Sequence, residues 1–207
     1  MTKYIDLTRL ITDGLKAYPG DNDTSLKKSK YLERDSYNNY LLTTGMHTGT
    51  HIDSPMHLTE NPKYIYEYSI DSFIGKGVLI NIDKLNKSDK KRDIYDKIDD
   101  NSIVLLFTGK SSLFGTKEYF EYTPEISEEF LNVLVQKNIK MLGMDCSSPD
   151  KFPFPIHKKL FANKTFMIEN LTNLDSLLEV DYFEVIALPL NIIADSSIAR
   201  VIAKIET

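Results

Sequence analysis

Short runs of apolar residues, each bounded by polar or turn-forming residues, are the main pattern along the chain and predict β-strands. In the first run, residues 4–8, apolar and polar positions alternate as they do in a half-buried strand. Further runs predict strands at 37–44, 78–82, 102–108, 140–144, 165–168, 183–188 and 198–205. A substantial sheet is therefore expected.

A helical period is clearest in the second half of the chain. Thr123 followed by Pro124 predicts a helix start, because Thr is a good N-cap and Pro fits the first helical position. Apolar residues then follow at the 3.6-residue spacing: Ile126, Phe130, Leu131, Leu134 and Val135. Short helices are also predicted in the charge-dense segment 84–100, a surface insertion, and around His157.

Strands outnumber convincing helices in this pattern, which favours a mixed α/β fold with a sheet or barrel core and a few helices. Residues 61–72 are rich in aromatic side chains without a clear period and predict a loop with about one helical turn. We find no repeat, low-complexity segment or linker, so residues 1–207 are predicted to form a single domain. With 207 residues, 42% of them hydrophobic, such a domain can bury a full core.

Composition argues against several classes of protein. The net charge of −5 without a basic patch argues against nucleic acid as a partner. No apolar window approaches the ~18 residues of a membrane span, and the first residues lack the pattern of a signal peptide. The single cysteine, Cys146, excludes an internal disulfide, fits a reducing compartment and is expected to be a buried small residue. We therefore expect a soluble, cytoplasmic globular protein.

Candidate chemistry is concentrated in residues 47–57, which hold three of the four histidines: His47, His51 and His57. Asp53 lies between them. Clusters of His and Asp at such spacing supply imidazole nitrogen and carboxylate oxygen to a transition metal. Because no thiolate accompanies them, the set suits Zn²⁺ or Mn²⁺, between which the sequence does not choose.

Strand geometry limits how this segment can fold. His47, Gly49, His51 and Asp53 share parity, so a straight strand would place all of them on one face. At about 3.3 Å per residue, however, His47 and Asp53 would then lie roughly 20 Å apart, too far for one ion. A helix is disfavoured by β-branched neighbours and by Pro55. We predict a strand that folds back on itself, with Gly49 taking the dihedrals of the turn.

These residues also carry a family resemblance. The series His47-x-Gly49-Thr50-His51-x-Asp53-x-Pro55-x-His57 resembles the signature of the cyclase-like metal-dependent hydrolases, the family of bacterial-type kynurenine formamidase (arylformamidase). Further motifs that resemble the family's, in the same order, are Tyr18-Pro19-Gly20-Asp21, Gly143-Met144-Asp145, His157 with Glu169-Asn170-Leu171, and Ala187-Leu188-Pro189-Leu190 with Arg200. Several motifs in one order, spread over most of the chain, are more specific than any single one.

The resemblance implies a fold, a metal site and an assembly. The fold would be of the swivelling β/β/α type, and the protein a homodimer or homotetramer. His47, His51 and Asp53 would bind one ion, Zn²⁺ or Mn²⁺. In a site with two ions per chain, Asp53 would bridge to the second, which His157 and Glu169 would also hold.

The resemblance also implies a reaction, in which His57 would be an acid/base that binds no metal. The expected activity is hydrolysis of a non-peptide C–N bond, N-formylkynurenine giving kynurenine and formate, by hydroxide that the metal generates at neutral pH. The amine leaving group needs a proton, which a nearby histidine is suited to give.

Two other functions stay open. One is a cyclase or dehydratase, or a lactone or lactam hydrolase, of the same family. The other is a metal-binding protein without catalysis, which an intact His57 disfavours because a purely structural site needs no acid/base beside it. Asp145 either lines the pocket or caps a turn, and Arg200 is expected to form a salt bridge rather than act in catalysis.

Overall fold

The structure, a computed structural model, describes residues 1–206. The strands are β1 (Thr2–Asp6), β2 (Ser25–Lys30), β3 (Asn39–Thr43), β4 (His51–Asp53), β5 (Ile74–Asn81), β6 (Ile103–Phe107), β7 (Met141–Met144), β8 (Phe166–Glu169), β9 (Phe183–Pro189) and β10 (Ser196–Glu206). The α-helices are α1 (Leu32–Asp35), α2 (Ile82–Lys87), α3 (Lys91–Tyr95), α4 (Lys117–Glu121), α5 (Glu128–Gln136) and α6 (Pro155–Ala162). Across residues 1–206, every helix is too short or too polar to cross a membrane.

A closed barrel forms the centre of the molecule. Eight strands pair in the order β1-β10-β4-β8-β7-β6-β5-β9. Because β9 also pairs with β10, the seven strands from β10 to β9 form a closed ring, and β1 lies outside it. Strands β5 to β8 are parallel to one another, whereas the other neighbours are antiparallel. β1 pairs with the C-terminal part of β10. The predicted α/β fold with a mixed barrel and a few helices is confirmed.

Two apolar clusters lie on the two faces of the barrel wall, because successive side chains of a strand point to opposite faces. Leu105 and Ile168 belong to the cluster in the barrel interior. Leu106 and Met167, their neighbours in sequence, belong to the cluster between the wall and helices α2, α3, α5 and α6. This alternation decides which face of β4 and β8 is available to a site.

The start of helix α5 differs from the prediction. The helix begins at Glu128, not at Pro124, and the hydroxyl of Ser127 accepts a hydrogen bond from Phe130 N at 3.1 Å. Ser127 therefore supplies the cap that the sequence favoured at Thr123. Two acidic residues in the first turn of α5 also suit the positive end of the helix dipole.

Other differences concern exposed segments. β1 covers residues 2–6 rather than 4–8, and the segment 84–100 holds the end of α2 and the whole of α3 instead of one short helix. Residues 61–72 contain one 3₁₀ turn and the start of a second. β2 was not predicted because its sequence, SLKKSK, is Lys-rich; it pairs only with β3, outside the barrel.

Candidate metal centre

Two neighbouring strands of the barrel wall position the centre. β4 and β8 are antiparallel, with His51 opposite Glu169 and Ile52 opposite Ile168. Ile52 and Ile168 are both in the interior cluster. His51, Asp53 and Glu169 therefore project from the outer face of the wall, where α6 brings in His157.

A turn at Gly49 brings His47 back towards this strand. Gly49 has φ +60°, a conformation in which glycine meets no steric penalty, and the strand itself covers only residues 51–53. The predicted turn at Gly49 is confirmed, but His47 is not part of a strand: a turn precedes β4, which does not itself fold back. As a result His47 Nδ1 lies 2.8 Å from Asp53 Oδ1.

His51 lies between two carboxylates. Its Nδ1 is 2.8 Å from the carbonyl oxygen of Gly49, which can only accept, so Nδ1 carries the proton and Nε2 presents its lone pair in the neutral ring. That Nε2 is 3.4 Å from Asp53 Oδ1 and 3.5 Å from Glu169 Oε2. The side chains of His51 and Asp53 are both 2% exposed.

A cation fits this arrangement. His51 Nε2 and Asp53 Oδ1 are buried, and neither makes a hydrogen bond of good geometry, although His47 Nδ1 lies 2.8 Å from Asp53 Oδ1. Buried polar atoms are rarely left unpartnered, and lone pairs that converge without a donor between them suit a bound metal ion. Among residues 1–206, two triples offer ligand atoms within 4.8 Å of one another: His47, Asp53 and His57, and His51, Asp53 and Glu169. Asp53 belongs to both.

His157 joins the centre through Glu169. Its Nε2 lies 3.4 Å from Glu169 Oε1, while its Nδ1 lies 2.5 Å from Asp150 Oδ1. Asp150 Oδ2 also accepts from the backbone nitrogen of Ile156 in the first turn of α6. Asp150 thus orients the imidazole and ties down the start of its helix, as outer-shell carboxylates do for metal-binding histidines.

A second aspartate that sequence reasoning missed, Asp195, contacts two histidines. Its Oδ2 is 3.2 Å from His47 Nε2 and 2.9 Å from His57 Nδ1. The two rings lie 4.1 Å apart between centroids. The structure therefore brings all six predicted site residues into one region, and the division of roles between ligand and acid/base remains a prediction.

Protonation of the centre follows from this charge distribution. Burial opposes protonation of His47, but the Asp53 and Asp195 carboxylates outweigh it and raise its pKa to about 11. Burial likewise opposes protonation of His157, yet Asp150 and Glu169 raise its pKa to about 10. Burial would raise the pKa of Asp53, but His51 and His47 hold it well below its usual range. In the metal-free protein, protonated His47 and His157 therefore neutralise part of the negative charge of the carboxylates.

The remaining candidates have structural roles. Asp145 accepts hydrogen bonds from the backbone nitrogens of Thr108 and Gly109 at 2.7 and 3.0 Å, so it caps the turn after β6. Cys146 is fully buried, as predicted, and burial raises the pKa of its thiol. Arg200 forms the expected salt bridge, with Asp6, at 2.6 Å.

Comparison with known proteins identifies relatives over nearly the whole chain. The Cyclase family model matches residues 5–151. The chain is 30% identical over 208 residues to kynurenine formamidase from Bacillus thuringiensis subsp. konkukian, covering 98% of each protein. It is 32% identical over 201 residues to an uncharacterised protein from Methanocaldococcus jannaschii, covering 96% of this chain and 97% of that protein.

Solved structures share the fold. Isatin hydrolase A from Labrenzia aggregata superposes with a TM-score of 0.84 at 20% identity, covering 100% of this chain and 94% of that one, a likeness of fold alone. A predicted metal-dependent hydrolase from Bacillus stearothermophilus superposes with a TM-score of 0.75 at 25% identity, covering 99% and 98%. With the family match and the nearly full-length identity, the chain belongs to the cyclase family, as its motifs predicted.

Proposed function

We propose that this protein is a metal-dependent hydrolase of amide bonds, and that N-formylkynurenine, cleaved to kynurenine and formate, is its substrate. The observation that carries the proposal is the pair of buried, unpartnered atoms, His51 Nε2 and Asp53 Oδ1, which converge with Glu169. The names of two relatives support it: a kynurenine formamidase, 30% identical, and a predicted metal-dependent hydrolase, 25% identical.

The ligand set would hold one or two ions. His47 Nδ1, His51 Nε2 and Asp53 would hold the first, and Glu169 and His157 the second, with Asp53 between them. Imidazole and carboxylate ligands suit Zn²⁺ or Mn²⁺. A divalent metal bound there would supply a Lewis acid that polarises a carbonyl and acidifies water.

In this proposal His57 moves the protons. Its Nδ1 faces Asp195, which leaves Nε2 to take a proton from the attacking water and to pass it to the amine nitrogen as the C–N bond breaks. The water oxygen then stays on the formyl carbon, the amine leaves neutral, and the formic acid releases its remaining proton to solvent as formate. Proton transfer of this kind contributes typically about 10²–10⁴ in rate.

Aromatic side chains at the edge of the centre suit an aryl amide. Phe154 packs edge-on against His157 at 5.9 Å between ring centroids, and Phe152 packs against Phe154 at 6.2 Å. Phe152 is 84% exposed. A flat aniline ring can lie against such a surface, whereas an aliphatic formamide gains less from it.

A substrate panel tests the proposal. The metal-loaded protein is assayed with N-formyl-L-kynurenine, formanilide and an aliphatic formamide of similar size, with His57→Ala as the matched variant. We expect the aryl formamides to be hydrolysed faster than the aliphatic one, and each rate to fall in His57→Ala. Hydrolysis of none of them by metal-loaded protein would refute the amide-hydrolase proposal and favour a cyclisation reaction or a non-catalytic metal protein.

A further inference from the structure

We propose that Asp195 is a positioning residue that sets the orientation and tautomer of His47 and His57 together. This inference rests on the proposed function, because it assigns His47 to the metal and His57 to proton transfer. It concerns one carboxylate oxygen, Oδ2, which lies within hydrogen-bond distance of a ring nitrogen from each histidine, 3.2 Å from His47 and 2.9 Å from His57.

An ionised carboxylate has no proton to donate, so each ring nitrogen that bonds Asp195 must carry one. For His47 the proton is then on Nε2, and Nδ1, 2.8 Å from Asp53 Oδ1, is left with its lone pair towards the metal position. For His57 the proton is on Nδ1, and Nε2 is left as the nitrogen that exchanges protons with substrate or water. One aspartate thus gives both rings the tautomer that their proposed roles require.

Backbone bonds hold Asp195 in place. The carbonyl oxygen of Asp195 accepts from Ser54 N at 3.1 Å, and that of Ala194 accepts from Ile65 N at 2.9 Å. Ser196, the next residue, pairs with Asp53 in the β10–β4 ladder. The backbone at Asp195 is therefore held beside β4, the strand that carries His51 and Asp53, and this places its carboxylate next to both histidines.

Ser196 provides a way to separate the two histidines. Its hydroxyl lies 2.9 Å from His47 Nε2 and donates to Asp195 Oδ1 at 3.2 Å, and neither of these hydrogen bonds involves His57. Loss of this hydroxyl should therefore affect His47 and leave the bond between Asp195 Oδ2 and His57 Nδ1 in place. Ser196→Ala is the matched comparison for Asp195→Asn.

The test uses the full chain loaded with Zn²⁺, which is diamagnetic. Long-range ¹H–¹⁵N spectra report which nitrogen of His57 carries the proton, and a competing chelator gives the Zn²⁺ affinity. In the wild-type protein and in Ser196→Ala we expect His57 to be protonated on Nδ1. In Asp195→Asn, whose amide nitrogen can donate to the ring, we expect a mixture of tautomers or the other one.

We also expect Asp195→Asn to weaken Zn²⁺ binding about 10–100-fold, as loss of an outer-shell partner does. With an amide that turns over, kcat should fall roughly 10²-fold or more while KM changes little. An unchanged His57 tautomer in Asp195→Asn, or the same tautomer change in Ser196→Ala, would overturn the inference. The His57 tautomer and the Zn²⁺ affinity are both measured without substrate. A wild-type protein that hydrolyses no tested amide would therefore contradict the proposed function, while these two measurements would still test the role of Asp195.

Discussion

His51 and Glu169 are opposite one another in the antiparallel ladder between β4 and β8, and His51 Nε2 lies 3.5 Å from Glu169 Oε2. The metal position is therefore built into the register of two neighbouring strands. A slip of β4 by one residue would turn His51 into the barrel interior, where the wall is apolar, and away from Glu169 on the outer face. Metal binding at this position therefore depends on the register between β4 and β8.

Replacing Asp53 by a neutral residue should prevent metal binding. Asp53 belongs to both candidate triples, so we expect Asp53→Asn to weaken metal binding by more than the ~10–100-fold of an outer-shell change and to abolish activity. Equilibrium dialysis with metal analysis measures this, with Asp89→Asn, an exposed aspartate between α2 and α3, as the control. Full metal content and activity in Asp53→Asn would refute the bridging role.

His57 can be distinguished from a ligand by substitution. We expect His57→Ala to keep its metal and to lose roughly 10²–10⁴-fold in kcat, because it removes proton transfer only. His157→Ala is the comparison, since it should lose metal. The structure also groups His57 with His47 and Asp53 at ligand distance. Loss of metal from His57→Ala would therefore make it a ligand instead of an acid/base.

Metal binding should release protons. The carboxylates raise the pKa of His47 and His157 from the ordinary 6.5 to about 11 and about 10, so both are protonated near pH 7 in the metal-free protein. A metal takes only unprotonated nitrogen, so affinity should rise with pH. Calorimetric titrations in buffers of different ionisation enthalpy should show at least one proton released per ion at pH 7. No release would contradict these pKa values.

The raised pKa values of His47 and His157 also predict how the stability of the metal-free protein changes with pH. Because the folded-state pKa values are raised, protonation of His47 and His157 stabilises the fold fully below pH 6.5. That contribution is lost as the pH rises through about 10 and about 11. Metal-loaded protein should lack this dependence, since its histidines are already unprotonated.

Packing inside the barrel gives a test that does not involve the centre. A Cβ at Gly77 would lie 2.0 Å from the ring of buried Phe183, whereas a Cβ at Gly75, on the same strand, meets nothing closer than 3.5 Å. We expect Gly77→Ala to lower the free energy of unfolding by about 1–3 kcal/mol. Gly75→Ala should be neutral or slightly stabilising. Chemical denaturation measures both, and equal effects would contradict the close contact between β5 and β9 at Gly77.

Most of the barrel strands and the central residues of the site could be predicted from local sequence patterns. The buried strands β6, β7 and β8 were predictable because their residues are apolar enough to be recognised without their partners. The cluster of candidate ligands was predictable because His47, His51 and Asp53 are close in sequence. β2 could not be predicted, since an exposed Lys-rich strand shows no apolar pattern.

Asp150 and Asp195 could not be found from the sequence for a different reason. Each acts through a histidine, and Asp195 is 148 residues away from His47 along the chain. In sequence, Asp150 lies in a proline-rich loop and Asp195 in a short polar run, both of which resemble ordinary turns. Asp195 reaches His47 and His57 because β10 pairs with β4. Asp150 is only seven residues from His157, but its contact depends on how the loop before α6 folds.

The most direct test of the central proposal is a rate assay with N-formyl-L-kynurenine on protein stripped of metal by a chelator. Turnover is measured before and after adding Zn²⁺ or Mn²⁺, with metal content determined in each sample. We predict no turnover in the stripped protein and recovery of turnover when the metal is restored. Full turnover in protein shown to contain no metal, or none in protein shown to have bound it, would contradict a metal-dependent hydrolase of this amide.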